Sequence, residues 1–110
     1  MGLLIGLMRR KQLTMQKSTF AWQLLLITNA MSVAANANQD LMSVGTDYES
    51  DSLIAKKLQE RQYKFKLLEE KLKLQKEEIE TRLQEIEAEL KSVNEMISNS
   101  IGEIFSFKVG

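Results

Sequence analysis

Leu72-Lys73-Leu74-Gln75-Lys76-Glu77-Glu78-Ile79-Glu80-Thr81-Arg82-Leu83-Gln84-Glu85-Ile86-Glu87-Ala88-Glu89-Leu90-Lys91-Ser92-Val93 decides the fold. Leu72, Ile79, Ile86 and Val93 stand seven residues apart, with Leu83 and Leu90 at the intermediate positions. Glu, Lys and Gln fill most of the remainder. An apolar repeat averaging 3.5 residues with charged flanks is the stripe of a helix paired with another helix. A half-buried strand would alternate every second residue instead.

The repeat extends both ways. Leu58 and Phe65 continue the seven-residue series backward, and Ile97 and Ile104 continue the intermediate series forward. In the first half the intermediate positions are Ile54, Arg61, Leu68 and Gln75. The seam is thus expected to run four-three up to Ile79 and to take a second four to Leu83. Such a stutter locally relaxes a left-handed supercoil. The predicted seam is Ile54, Leu58, Phe65, Leu68, Leu72, Ile79, Leu83, Ile86, Leu90, Val93, Ile97 and Ile104. Glu60–Lys64, Glu69–Lys73 and Glu87–Lys91 have the favourable order for i, i+4 pairs on a helix surface. Tyr63, Leu67 and Leu74 lie off the stripe. They imply either a second contact face or a wide stripe covered by the rest of the chain.

Upstream, Leu13, Phe20, Ile27, Ala34 and Leu41 also recur every seven, with Leu24 and Met31 between them. Trp22, Leu25 and Leu26 add apolar surface on another side. This arm predicts a helix from about Leu3 to Met42. At 1.5 Å per residue it would be roughly 60 Å long, against nearly 80 Å for a helix over 53–104. Between the two lies Ser43-Val44-Gly45-Thr46-Asp47-Tyr48-Glu49-Ser50-Asp51-Ser52. Gly45 suits a helix C-cap, because it tolerates a positive φ. Ser50, Asp51 and Ser52 are all N-cap residues. Stop and start signals this close fold two helices back on each other.

Composition narrows the function. The 110 residues include no proline, cysteine or histidine, and 15 basic residues balance 15 acidic ones. Without proline a helix can run unbroken. Zero cysteine excludes disulfides and thiolate chemistry. Zero histidine removes the commonest metal ligand and the usual general base. A balanced charge argues against nucleic acid as a partner. The acidic clusters Glu77-Glu78-Glu80 and Glu85-Glu87-Glu89 point around a helix and do not converge as a site requires. No catalytic, cofactor-binding or metal-ligating residue is expected, and no cofactor.

Arg9, Arg10, Lys11 and Lys17 are the only charges before Asp40. Basic residues ahead of Phe20–Ile27, with Ala35-Asn36-Ala37 beyond, imitate a cleavable signal. The apolar opening Met1–Met8 and the polar Gln23, Thr28 and Asn29 speak against it. Ser18–Ala35 is too short and too polar for a transmembrane span. The arm is read as a helix packed on other helices, with membrane contact through it left open.

The arm Leu13–Leu41 and the heptad run Leu58–Ile104 together resemble the needle and inner-rod subunits of type III secretion systems. They also resemble the terminal-helix domain of flagellar axial proteins. The opening Met1-Gly2-Leu3 and the ending Ser100–Lys108 look like a group of uncharacterised bacterial coiled-coil proteins. The secretion resemblance implies a self-assembling bacterial subunit, secreted or at the cell surface without a cleaved signal.

The expected fold is all-α, an elongated two-helix antiparallel hairpin with a long coiled-coil C-terminal helix. Its parts are an apolar arm (1–42), a polar link (43–52), a heptad helix (53–105) and a tail (106–110). The expected partners are copies of itself, in a homo-oligomer or filament, with other helical proteins open as partners. Phe20, Trp22, Leu24, Ile27, Leu67 and Leu74 are the expected assembly contacts, with Phe65 beside them. The alternatives are a coiled-coil adaptor or export chaperone binding a partner's helix, and a membrane-tethered coiled-coil spacer. Those would place the chain in the cytoplasm or on a membrane.

Overall fold

The structure is a computed structural model that describes residues 2–45 and 52–109. The protein is all-α, with two helices, α1 (Gly2–Gly45) and α2 (Leu53–Val109), forming a helical hairpin. No strand occurs among the described residues.

Both helices run unbroken because nothing in them interrupts the backbone ladder. The hydroxyls of Thr14, Thr19 and Thr28 donate to the carbonyls four residues back, at 2.8, 3.1 and 2.8 Å. A side chain that bonds within its own turn no longer competes for the backbone.

α2 begins at a cap the sequence offered as one of three. The Ser52 hydroxyl accepts from the Ala55 amide at 3.1 Å, and the Ser52 carbonyl accepts from Lys56 at 3.1 Å. This is the N-cap geometry that satisfies an otherwise free N–H. Ser50 and Asp51 lie outside the described residues. Gly45 is the last residue of α1.

Each helix contributes to two compact units. The terminal unit joins α1 up to Gln23 with α2 from Ile79 onward. Here the helices are antiparallel: Gly2 lies by Ser100, Gly6 by Ile97, Arg9 by Glu89 and Phe20 beneath Arg82. Its core is Leu13, Ile86, Val93 and Ile97, with Leu3, Phe20 and Leu90 packed around them. Leu13 is 1% exposed, the most enclosed large side chain described.

The central unit joins α1 from Leu24 with α2 up to Glu78. It is antiparallel too: Met31 and Ala35 line a groove with Lys66, Glu69, Glu70 and Lys73, while Leu41 and Val44 line one with Arg61, Lys64, Phe65 and Leu68. Its core is thinner. Only Ala34 and Ala55 are buried among its described apolar residues.

The α2 seam departs from the predicted one. In the central unit the buried and half-buried positions are Ala55, Leu58, Gln62, Phe65, Glu69, Leu72 and Lys76. In the terminal unit they are Ile79, Leu83, Ile86, Leu90, Val93, Ile97 and Ser100. The three-four alternation is unbroken throughout, with no stutter at Ile79–Leu83. Ile54, Arg61, Leu68 and Gln75 are exposed. Opposite the α2 seam, the buried and half-buried positions of α1 in the central unit are Leu24, Ile27, Met31, Ala34, Ala37, Asn38 and Leu41. The stems of Gln62, Glu69 and Lys76 cover the seam while their polar ends reach outward.

Candidate assembly surfaces

Two of the hairpin's faces bear on association: the seam-side groove of the central unit and the outward rows of both units.

The terminal unit is closed on its inner side. Gly6 lets α1 approach α2, and polar pairs fix the alignment at the edge. The Arg9 guanidinium donates to Glu89 Oε1 through Nε at 2.8 Å and also through Nη2. It bonds Gln12 Oε1 through Nη1 at 2.8 Å. Lys17 Nζ lies 3.6 Å from Glu87 Oε1. Both ion pairs are more than a third exposed, so each contributes little stability, at most about 1 kcal/mol. They favour one alignment of α1 on α2. Arg82 sits 5.9 Å above the Phe20 ring centroid, within cation–π range.

Outward, α1 of this unit carries an apolar row. Met8, Met15 and Trp22 repeat every seven residues, each two residues after Gly6, Leu13 and Phe20. At about 100° per residue they lie on the far side of α1 from the seam. Trp22 is 61% exposed.

The central unit is more open. Leu26 and Val33 extend an outward row on α1, and Tyr63, Leu67 and Leu74 form one on α2. The α2 row lies roughly 160–180° round the helix from Phe65. Leu67 is 47% exposed and Leu74 67%.

On the seam side, an open groove of about 710 Å³ runs between the helices. Ala37, Leu41 and Val44 of α1 and Phe65 and Leu68 of α2 make its apolar surface. Arg61 and Lys64 stand on the α2 wall and Asp40 on the α1 wall. The groove exists because the unbroken seam leaves Leu68 outside. Asn38 also weakens this unit, since its Oδ1 is buried and accepts no hydrogen bond.

The residues expected at assembly contacts therefore divide. Trp22, Leu67 and Leu74 are on outward faces. Phe20, Leu24, Ile27 and Phe65 are half-buried on inward faces, where they hold the hairpin together. Of the expected seam, Ile86, Val93 and Ile97 are buried, while Leu58, Leu72, Ile79, Leu83 and Leu90 are half-buried. Ile54, Leu68 and Ile104 are exposed. Sequence reading passed over Met8, Met15 and Val33. The signal was present in the seven-residue step Met8–Met15–Trp22.

Among the described residues, no group of three His, Cys, Asp or Glu side chains is placed to hold a metal. No described helix is long and apolar enough to cross a membrane. Comparison with protein-family models, curated proteins and solved structures finds no match to this chain.

Proposed function

We propose that the chain is a structural, self-assembling helical subunit of a surface or secretion-type filament, acting through helix association and not through catalysis. The observation that carries this reading is the outward apolar row in each unit, on faces that the hairpin itself does not cover. In the terminal unit it is Met8, Met15 and Trp22; in the central unit it is Tyr63, Leu67 and Leu74. Large contiguous apolar patches mark interaction sites. Rows on both helices favour more than one neighbour per copy, which leads to extended assemblies when the contacts are heterologous. The resemblance of the arm and heptad run to secretion-needle and flagellar axial subunits supports the same reading.

Electron microscopy and sedimentation of the purified full chain test it. Polymers at micromolar concentration are expected, lost when Trp22→Asp and Leu67→Asp place charges in the contacts. A native chain that stays monomeric overturns the proposal.

The groove between Leu41, Val44, Phe65 and Leu68 favours one second reading, an adaptor or export chaperone that seats a partner's helix. Such a chain would be a soluble monomer or dimer with the groove unfilled in isolation.

A further inference from the structure

We infer that the outward face of α1 in the terminal unit docks on a membrane surface of anionic lipid. The inference goes beyond the self-assembly reading and names what this face meets other than a copy of the chain.

Geometry comes first. Leu13 is turned fully into the hairpin. Leu4 and Trp22 each stand nine residues from it, which sets them about 180° round the helix. Met8 and Met15 lie within about 40° of the same line. All four are between 61% and 65% exposed. The row they form is about 27 Å long. A helix with such a row lies along a membrane interface, its large side chains dipping between headgroups and acyl chains. Trp22 suits that depth, because its ring is apolar and its indole N–H seeks a polar partner.

Charge then selects the lipid. α1 carries Arg9, Arg10, Lys11 and Lys17, and no acidic residue before Asp40. Every acidic residue of the terminal unit is on α2. Glu89 and Glu87 face Arg9 and Lys17. Arg10 and Lys11 are exposed and make no ion pair among the described residues. Lys11 stands in the row between Met8 and Met15, and Arg10 stands on its flank. Their long stems can lie over apolar surface while the cations reach headgroup phosphates.

A copy of the chain matches this face less well. A second α1 would set cations against cations, with no carboxylate on either side. The outward positions of α2 in the same unit are Thr81, Gln84, Ala88, Lys91 and Glu95, which offer no apolar row. The row Tyr63, Leu67 and Leu74 is apolar, but Glu and Lys stand on both of its edges. It therefore presents no net negative charge to Arg10 and Lys11. A nucleic-acid backbone would supply the charge and leave the four apolar side chains in water.

The test mixes the full-length chain with vesicles, below the concentration at which it polymerises, and pellets them. Trp22 is the only tryptophan, so its emission reports on this face. The chain should pellet with vesicles of phosphatidylglycerol and phosphatidylcholine in equal parts, and the emission should move to shorter wavelength. Phosphatidylcholine alone should bind at least about tenfold more weakly. Arg10→Glu with Lys11→Glu should lose a similar factor on the anionic vesicles. Met8→Asp with Met15→Asp should lose binding altogether. All four positions are exposed, and circular dichroism checks that helix content matches the native protein. A native chain that fails to pellet with anionic vesicles overturns the inference. So does pelleting that leaves Trp22 emission unmoved, or that survives the charge reversal undiminished. An emission shift seen only on concentrating the vesicle-free chain assigns the face to another copy instead. A chain that binds vesicles yet never polymerises removes the self-assembly reading and leaves this one standing.

Discussion

Gly6 lies against Ile97 so closely that a Cβ on the glycine would sit 2.9 Å from Ile97 Cγ1 and 3.0 Å from the Met96 methyl. The methyl is a flexible end and can move. Ile97 Cγ1 belongs to a buried core residue and cannot move freely. In the helix interior, Gly→Ala ordinarily stabilises by about 0.5–1 kcal/mol. Overpacking a tight contact costs about 1–3 kcal/mol. The overlap should win at Gly6, so Gly6→Ala lowers the thermal midpoint. At Gly102 an added Cβ would meet nothing within 4 Å, so the propensity gain acts alone. Gly102→Ala should raise the midpoint. Denaturant titration of both variants checks the opposite signs.

Leu13 should be the most costly leucine to truncate. Leu13→Ala removes an enclosed side chain from the cluster with Ile86, Val93 and Ile97. The expected loss is about 2–5 kcal/mol. Leu25→Ala, at an exposed site of the same helix, should change stability by no more than about 0.5 kcal/mol. Equal losses from the two would mean that α1 packs by another face.

Asn38 offers the opposite change. Its buried Oδ1 accepts no hydrogen bond, and an unsatisfied buried polar group costs about 1–3 kcal/mol. Asn38→Leu should stabilise the monomer by an amount of that order, measured in dilute chemical denaturation. A polar residue at a seam position commonly sets helix alignment at some cost in stability. The variant should accordingly give broader amide resonances in the central unit if more than one alignment is then populated. A destabilised Asn38→Leu would show that the asparagine has a partner in solution.

The unbroken seam makes a distinct prediction about two neighbouring leucines. Leu72 is half-buried on the α2 seam and Leu68 is outside it. Leu72→Ala should cost at least about 2 kcal/mol and Leu68→Ala under about 1 kcal/mol in the unassembled chain. A stuttered seam would give comparable losses.

The helices and their antiparallel pairing were legible because periodicity and caps are local properties of the chain. Leu72, Ile79, Ile86 and Val93 announce the α2 stripe, and Ser52 was among three residues able to cap it. The position of α2 in the central unit was not legible. There the sequence offers Ile54 and Leu68 as good seam residues, yet the structure uses Ala55 and Glu69. Hydropathy ranks each helix alone, while the seam must also keep step with α1. Its inward residues there are Leu24, Ile27, Met31, Ala34, Ala37, Asn38 and Leu41. The same effect blurred the candidate contacts. Phe20, Leu24 and Ile27 are apolar enough for an interface, but they are consumed by the hairpin. Trp22, Leu67 and Leu74 differ from them only in angle around the helix.

The most direct measurement is sedimentation velocity of the native full-length chain across a micromolar concentration series, with electron micrographs of the same samples. The account predicts a concentration-dependent passage from hairpin monomers to large open-ended polymers, abolished by Leu67→Asp with Leu74→Asp while helix content is unchanged. A single species of monomer mass throughout the series would contradict it.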